Sequence, residues 1–354
     1  VRLCIVDDGT LTARALVERL PVLLAGLPVE IDVLHSGAGA GAPAGEVEGI
    51  REFYGSPREL TSGLHGVDIL VVHKAPVSRE VIAAAGRLRL IACARAHPVN
   101  VDVAAAAARG IPVVHAPGRA AASTADLTLA LILCLARNLG EARDLVKSAG
   151  AAAWSYECRS ALEGLELAGT TLGIIGFGRV GRLVAERAKA FGMTVIAHSP
   201  RVGEGEIRAA GAEPVSLEEL LARADFVSLH TRPGTGKGAL IGEAQLSLMK
   251  RTACLVNTAR GDLVDEGALY RVLKEGRIRG AALDVLKEEP PPPDHPFFSL
   301  PNVILTPHLG GKTTAVPRRA AEAVAGEIAN FLSGRPLVHV FSPPAEEQVG
   351  VDDG

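Results

Sequence analysis

The chain has 354 residues, enough for about two domains. Its 37 basic and 40 acidic residues leave a formal charge of -3, which gives no general attraction to nucleic acid or acidic membranes. Hydrophobic residues make up 48%, yet no apolar run approaches the ~20 residues of a membrane span, and no secretory signal opens the sequence.

Short apolar runs alternate with helical patterns along nearly the whole length, as parallel α/β architecture requires. In the first half LCIVD (3–7), EIDVLH (30–35), VDILVV (67–72), LRLIACA (88–94) and IPVVHA (111–116) predict strands. Helices are expected over SREVIAAAG (78–86) and VDVAAAAARG (101–110), and SGAGAGAPAGEVEG (36–49) reads as a mobile surface loop. The apolar helix STADLTLALILCLARN (123–138) follows, with Ser123 as its predicted N-cap. After it WSYECRSALEGLEL (154–167) leads into a second series. That series runs TLGIIG (171–176), TVIAHS (194–199), DFVSLH (225–230), ACLVNTA (253–259), AALDV (281–285) and NVILTP (302–307). Two such series predict two Rossmann-like, doubly wound parallel-sheet domains with a cleft between them. KTTAVPRRAAEAVAGEIANFL (312–332) comes after the second series and is expected to return to the first domain. The predicted division is 1–116 with 309–334, then 117–308, and a frayed polar tail of 335–354. No regulatory domain is expected after Leu332, because too few residues follow to fold one. Cys4, Cys93, Cys134, Cys158 and Cys254 include no CxxC pair and read as buried free thiols of a cytoplasmic protein.

Gly176-Phe177-Gly178-Arg179-Val180-Gly181 fits G-x-G-x-x-G between a strand and the helix RVGRLVAERAKAFG. There Gly176 permits a tight turn, Gly178 lets a pyrophosphate approach the backbone, and Gly181 lets helix pack closely on strand. The helix start at Arg179 and Val180 offers free N–H groups and a positive dipole end. Residues 117–308 therefore read as a dinucleotide-binding domain, with an unliganded turn of the same shape as the alternative. The second strand of such a unit usually ends in an acid that holds the adenosine ribose hydroxyls. VIAHSPR (195–201) offers Ser199 and Arg201 instead, with His198 and Arg179 nearby. Ser199 can donate to a 2′-phosphate without repelling it, and Arg201 adds charge-assisted hydrogen bonds. The expected cofactor is NAD(P), with NADP favoured over NAD; the alternative leaves Arg201 solvated and NAD accommodated at Ser199.

Three strand-end segments of the second series supply an arginine, a carboxylate and a histidine: LVNTARGDLVDE (255–266), ALDVLKEEP (282–290) and LTPHLGG (305–311). Together they suit reduction of a 2-oxo acid. Arg260 can grip a carboxylate bidentately and stabilise charge developing on the carbonyl oxygen. His308 can deliver the proton, and Glu289 would favour its imidazolium and orient the ring. Each has a structural alternative: Arg260 as a helix cap or a partner of Asp262, Glu289 as a solvated residue of EEPPPPDHP, His308 as a loop anchor.

With GIIGFGRVG, these three segments, LPNVILTPHLGG and RGIPVVHAPGR, the chain resembles the D-isomer-specific 2-hydroxyacid dehydrogenases from about Val67 to Leu332. That family includes phosphoglycerate dehydrogenases and glyoxylate/hydroxypyruvate reductases. The resemblance implies a nicotinamide cofactor in the cleft, a substrate domain of 1–116 with 309–334, and a homodimer built through the cofactor domain. It places the catalytic roles on Arg260, Glu289 and His308. It also sets Asp284 and the Thr258–Ala259 backbone at the nicotinamide end, with His230 and Thr231 along the cofactor. The implied partner is a small 2-oxo or 2-hydroxy acid, with no nucleic acid and no membrane. A nucleotide-sensing interaction protein on the same fold, similar to the family's corepressors, is the alternative.

Several positions depart from the family pattern. Ser199 stands where an acid is usual. In CARAHPVNVD (93–102), Ala96 and His97 replace small glycines of a substrate-side loop, so His97 narrows the pocket or adds a donor. In APGRAAASTADLT, Ala120 and Ala122 stand where polar residues are commoner. Lys74, Arg95 and Arg119 cluster on the substrate side, either to hold a second anionic group or to face solvent and nearby acids. TRPGTGKGAL (231–240) lacks P-loop spacing at Lys237 and reads as a loop over the cofactor. The sequence has no HExxH, no zinc spacing and no G-x-S-x-G elbow, so no metal is expected.

Overall fold

ILVV (69–72), LIAC (90–93) and GAAL (280–283) are buried at every position, because helices cover both faces of the sheets these strands form. The computed structural model describes residues 1–36, 47, 49–233 and 238–342. Most of the glycine/alanine-rich loop, Lys237 and the chain from 343 lie outside the described residues. The chain divides into two compact units, Val1–Arg119 with the segment from Thr313, and Ala120–Lys312.

The first unit carries β1 (Arg2–Asp7), β2 (Glu30–His35), β3 (Ile69–Val72), β4 (Leu90–Cys93) and β5 (Val113–His115). All pair in parallel in the order β2-β1-β3-β4-β5, a doubly wound topology. The helix Ala315–Leu332 packs here, burying Ala320, Val324 and Ile328 in one cluster with Leu16 and Leu20 of the helix Leu11–Leu23. Each large aliphatic side chain so buried contributes roughly 1.5–3 kcal/mol, which holds the returning helix on this unit.

The second unit carries β6 (Thr171–Ile175), β7 (Thr194–His198), β8 (Glu213–Pro214), β9 (Phe226–Leu229), β10 (Cys254–Asn257), β11 (Gly280–Leu283) and β12 (Val303–Leu305). Their parallel order is β12-β11-β10-β9-β6-β7-β8, so the direction of winding reverses between β6 and β9. In open α/β sheets ligands bind outside the carboxyl ends of strands at such a reversal.

Four details differ from the sequence reading. The long apolar helix is Ala121–Ala136, and Ser123 is a buried interior residue rather than its N-cap, because the buried face already begins at Ala121. Residues 139–153, for which the sequence predicts no element, and 154–161, read as leading into the second series, contain the helices Leu139–Ala149 and Tyr156–Ala161; the first buries none of its residues, so no core pattern marks it. The segment 338–341 is not frayed, because its backbone bonds to β5 and to the buried carboxylate of Glu327. Of the five free cysteines, Cys134 and Cys158 are only partly buried. Among the described residues no single helix is long and apolar enough to cross a membrane.

Candidate active site

The glycine loop sits at the carboxyl end of β6. Gly176 has φ +95°, and a Cβ there would lie 2.5 Å from the His230 carbonyl oxygen; one on Gly181 would lie 2.3 Å from the Gly176 oxygen. Only glycine fits these two positions, so β9 and the helix Arg179–Ala190 close tightly around the turn. Gly178 differs, since a Cβ there would meet nothing within 4 Å. The loop is thus crowded on its protein side and open at Gly178, just ahead of the first helical N–H groups of Arg179 and Val180. This cradle fits a pyrophosphate.

At the end of β7 the His198 Nδ1–H donates to the Val215 carbonyl at 3.2 Å. Ser199 is half-buried and Arg201 exposed, and Arg201 has no acid partner among the described residues. At the end of β9, His230 shares a 2.8 Å hydrogen bond with the Ser228 hydroxyl, and burial pushes its imidazole down to about 3. Thr231 follows, half-buried, against the glycine loop. Arg232, which sequence reasoning missed, comes next. Burial, then the charges of Arg260 and Arg201, hold its guanidinium below the ordinary value. Its place at a strand end was the available signal.

β10 delivers Arg260 through a bracket that also escaped the sequence reading. The Asn257 side chain donates to the Arg260 carbonyl at 2.8 Å and accepts the Ala259 N–H at 3.0 Å. Thr258 is buried and shares a 2.9 Å bond with the Thr128 hydroxyl. The Arg260 guanidinium is exposed and donates to the Ala259 carbonyl at 2.7 Å.

β11 and β12 hold the histidine. Asp284, 1% exposed, accepts the Thr306 hydroxyl at 2.6 Å, the Leu309 N–H at 2.7 Å and the Gly310 N–H at 2.8 Å. The His308 N–H donates to the Asp284 carbonyl at 2.9 Å. These bonds hold His308 at φ +53°, a left-handed conformation that non-glycine residues keep only under such constraint. The His308 Nδ1–H then donates to Glu289 Oε2 at 2.6 Å, and Glu289 Oε1 accepts the Leu286 N–H at 3.1 Å. Burial would raise the Glu289 carboxyl, but the His308 hydrogen bond and charge, the Leu286 N–H and Arg260 together hold it below the usual range. With Nδ1 committed to the carboxylate, Nε2 of a half-exposed ring is the nitrogen left for proton transfer.

The remaining candidates lie on the first unit. Lys74 follows β3, its Nζ 4.7 Å from the Tyr54 ring centroid; burial, then Arg95, hold it below its ordinary value. Arg95 follows β4, pairs with the Glu52 carboxylate and donates to the Glu52 carbonyl at 2.9 Å. Burial, then Arg95, lower Arg119, whose Nε is buried without a hydrogen-bond partner among the described residues. The Arg95 carbonyl accepts the Ala116 N–H at 2.9 Å and the Ala96 carbonyl accepts His115 Nδ1–H at 2.8 Å. The Ala96 N–H makes no hydrogen bond among the described residues. The His97 ring meets the Phe341 ring edge-on at 5.6 Å, a neighbour that the reading of 335–354 as a tail did not anticipate.

A glycine cradle stands at the reversal of a parallel sheet whose carboxyl end also carries Arg260 and the Glu289–His308 pair, an arrangement of the dinucleotide-binding α/β class. Residues 129–310 match the family described as D-isomer specific 2-hydroxyacid dehydrogenase, NAD binding domain. Over 296 residues, 82% of this chain, the sequence is 42% identical to the D-3-phosphoglycerate dehydrogenase of Methanocaldococcus jannaschii. Over 260 residues, 73% of this chain, it is 43% identical to the glyoxylate reductase of Korarchaeum cryptofilum. The aligned parts cover 55% of the first relative and 77% of the second, so the chain spans about half the length of the phosphoglycerate dehydrogenase it matches. The crystal structure of the TT0316 protein from Thermus thermophilus superposes with a TM-score of 0.77 at 37% identity, covering 97% of this chain and 100% of that one. The chain belongs to the D-isomer-specific 2-hydroxyacid dehydrogenase family.

Proposed function

We propose that the protein interconverts a small 2-oxo acid and its D-2-hydroxy acid with a nicotinamide nucleotide. The observation that carries this reading is the 2.6 Å Glu289–His308 bond, which leaves His308 Nε2 free at the carboxyl end of the sheet that carries Arg260 and the glycine cradle. Gly176, Gly178 and Gly181, with the helix start at Arg179 and Val180, would hold the pyrophosphate. His230, Thr231, Thr258, Ala259 and Asp284 would line the nucleotide; Asp284 acts besides through the turn it fixes. A bound reduced nicotinamide supplies hydride to the substrate carbonyl carbon. Arg260 grips the substrate carboxylate and stabilises the carbonyl oxygen as it gains charge. Protonated His308 gives its Nε2 proton to that oxygen, and Glu289 stabilises the imidazolium beforehand. In the reverse direction neutral His308 takes the hydroxyl proton. On the first unit, the open Ala96 N–H with His97 offers a donor site for the substrate carboxylate. Lys74, Arg95 and Arg119 would take a second anionic group, since Arg95 is paired with Glu52 but the buried Arg119 Nε has no hydrogen-bond partner among the described residues.

The absence of an acid at Ser199–Arg201 favours NADP. Loss of nicotinamide absorbance with glyoxylate, hydroxypyruvate, pyruvate, 2-oxoglutarate and phosphohydroxypyruvate tests both parts. Turnover is expected, with kcat/KM for NADPH about tenfold or more above NADH; Ser199→Asp should reverse the ratio. Turnover with NADH alone would remove the NADP reading, and none with either nucleotide would remove the reductase.

A homodimer built through the second unit is supported by the helix Leu139–Ala149, which buries no residue and exposes Leu139 and Val146 beside exposed Trp154 and Tyr156. Sedimentation should give twice the chain mass, and a monomer at micromolar concentration would discard this assembly. All five cysteines are free thiols, which supports a reducing, cytoplasmic compartment.

A further inference from the structure

Residues 338–341 lie along β5. Val340 pairs antiparallel with Val114, the His115 N–H donates to the His339 carbonyl at 3.0 Å, and the Phe341 N–H donates to the Val113 carbonyl at 2.8 Å. Glu327 of the helix Ala315–Leu332 fixes this segment from beneath. Its carboxylate, 3% exposed, accepts the Val338 N–H at 3.0 Å on one oxygen; the other accepts the His339 N–H at 3.1 Å and Nδ1–H at 2.8 Å. A buried carboxylate is stable where donors fill its lone pairs, and all these donors belong to the terminal segment.

The segment so fixed presents the Phe341 ring edge-on to two imidazoles, His97 at 5.6 Å and His115 at 5.4 Å between centroids. His115 also ties down the Ala96 carbonyl, while β5 ties down the Arg95 carbonyl through Ala116. The turn at 95–97 is therefore held through its carbonyls by β5 and through its ring by Phe341, and its Ala96 N–H is left open. We propose that Phe341 is a positioning residue that acts through His97 and His115 to hold this turn in the conformation that binds the substrate carboxylate. The inference rests on the reading of the Ala96 turn as a substrate contact.

Phe341→Ala should raise KM for the 2-oxo acid about tenfold, the scale of two lost aromatic edge contacts. Its kcat and nucleotide affinity should stay within about twofold, since the nucleotide cradle belongs to the other unit. Phe341→Tyr, which keeps the ring, should recover most of the loss, which separates positioning from failure to fold. In a His97→Ala background the Phe341→Ala effect should shrink, because one of its two edge contacts is already gone. An unchanged KM, or effects that simply add, would overturn the proposal. Amide exchange across residues 94–100 gives a readout independent of turnover and should quicken in Phe341→Ala. If the natural protein reduces no 2-oxo acid, the proposed function has failed, and exchange still judges the Phe341 contact: unaltered exchange overturns it, faster exchange upholds it.

Discussion

Replacing Arg260 by alanine should lower kcat/KM for the 2-oxo acid by about three orders of magnitude and leave nucleotide affinity within a few-fold. The size follows from two tasks in one group. Loss of a single donor to a developing oxyanion costs about 10²–10³ in rate, and the bidentate grip on the substrate carboxylate goes with it. The selectivity follows from the local structure. The guanidinium is exposed and, among the described residues, its hydrogen bond goes to the neighbouring Ala259 carbonyl, so its removal empties no core. The backbone at 260 is held by Asn257 and not by the arginine side chain. Arg260→Lys should recover little, because a point charge cannot reproduce the planar fork. Steady-state kinetics beside nucleotide titration decide the matter, and a near-normal Arg260→Ala enzyme would remove the proposed chemistry.

What the sequence disclosed depended on whether the physical cause was local. Buried parallel strands such as ILVV and LIAC are apolar throughout, so periodicity and length identify them, and the glycine spacing at 176–181 states its turn directly. Arg260, Glu289 and His308 stand out by type and strand-end position. Their supports do not, because they come from remote elements. Asp284 holds the turn of His308 through Thr306, Leu309 and Gly310, and no spacing rule encodes that bond pattern. Residues 338–341 read as a polar tail because one buried carboxylate on a distant helix, rather than an apolar stripe, keeps them in place. The helix Leu139–Ala149 was missed for the opposite reason: its apolar residues have no burial within the chain to set a pattern.

His308 supplies the second large effect, and its pH dependence tests the role of Glu289. His308→Gln should lower kcat for reduction by about two to three orders of magnitude, the usual range for loss of a general acid. Glu289→Gln should act more gently and with a definite sign. The His308 hydrogen bond and charge hold the Glu289 carboxyl below its ordinary range despite burial, so the carboxylate is ionised throughout the neutral region. Its contribution is present above the unfolded carboxylate value and is lost only as pH falls through the lower folded one. At working pH a full negative charge therefore faces the Nδ1–H at 2.6 Å and favours the imidazolium that reduction needs. Glutamine keeps the shape and removes the charge. The alkaline limb of kcat/KM for reduction should then move to lower pH. Oxidation of the hydroxy acid needs the neutral ring, so its acid limb should move the same way and that direction should gain activity below neutrality. Profiles of both directions that coincide with those of the natural enzyme would show that Glu289 orients the ring without tuning its charge.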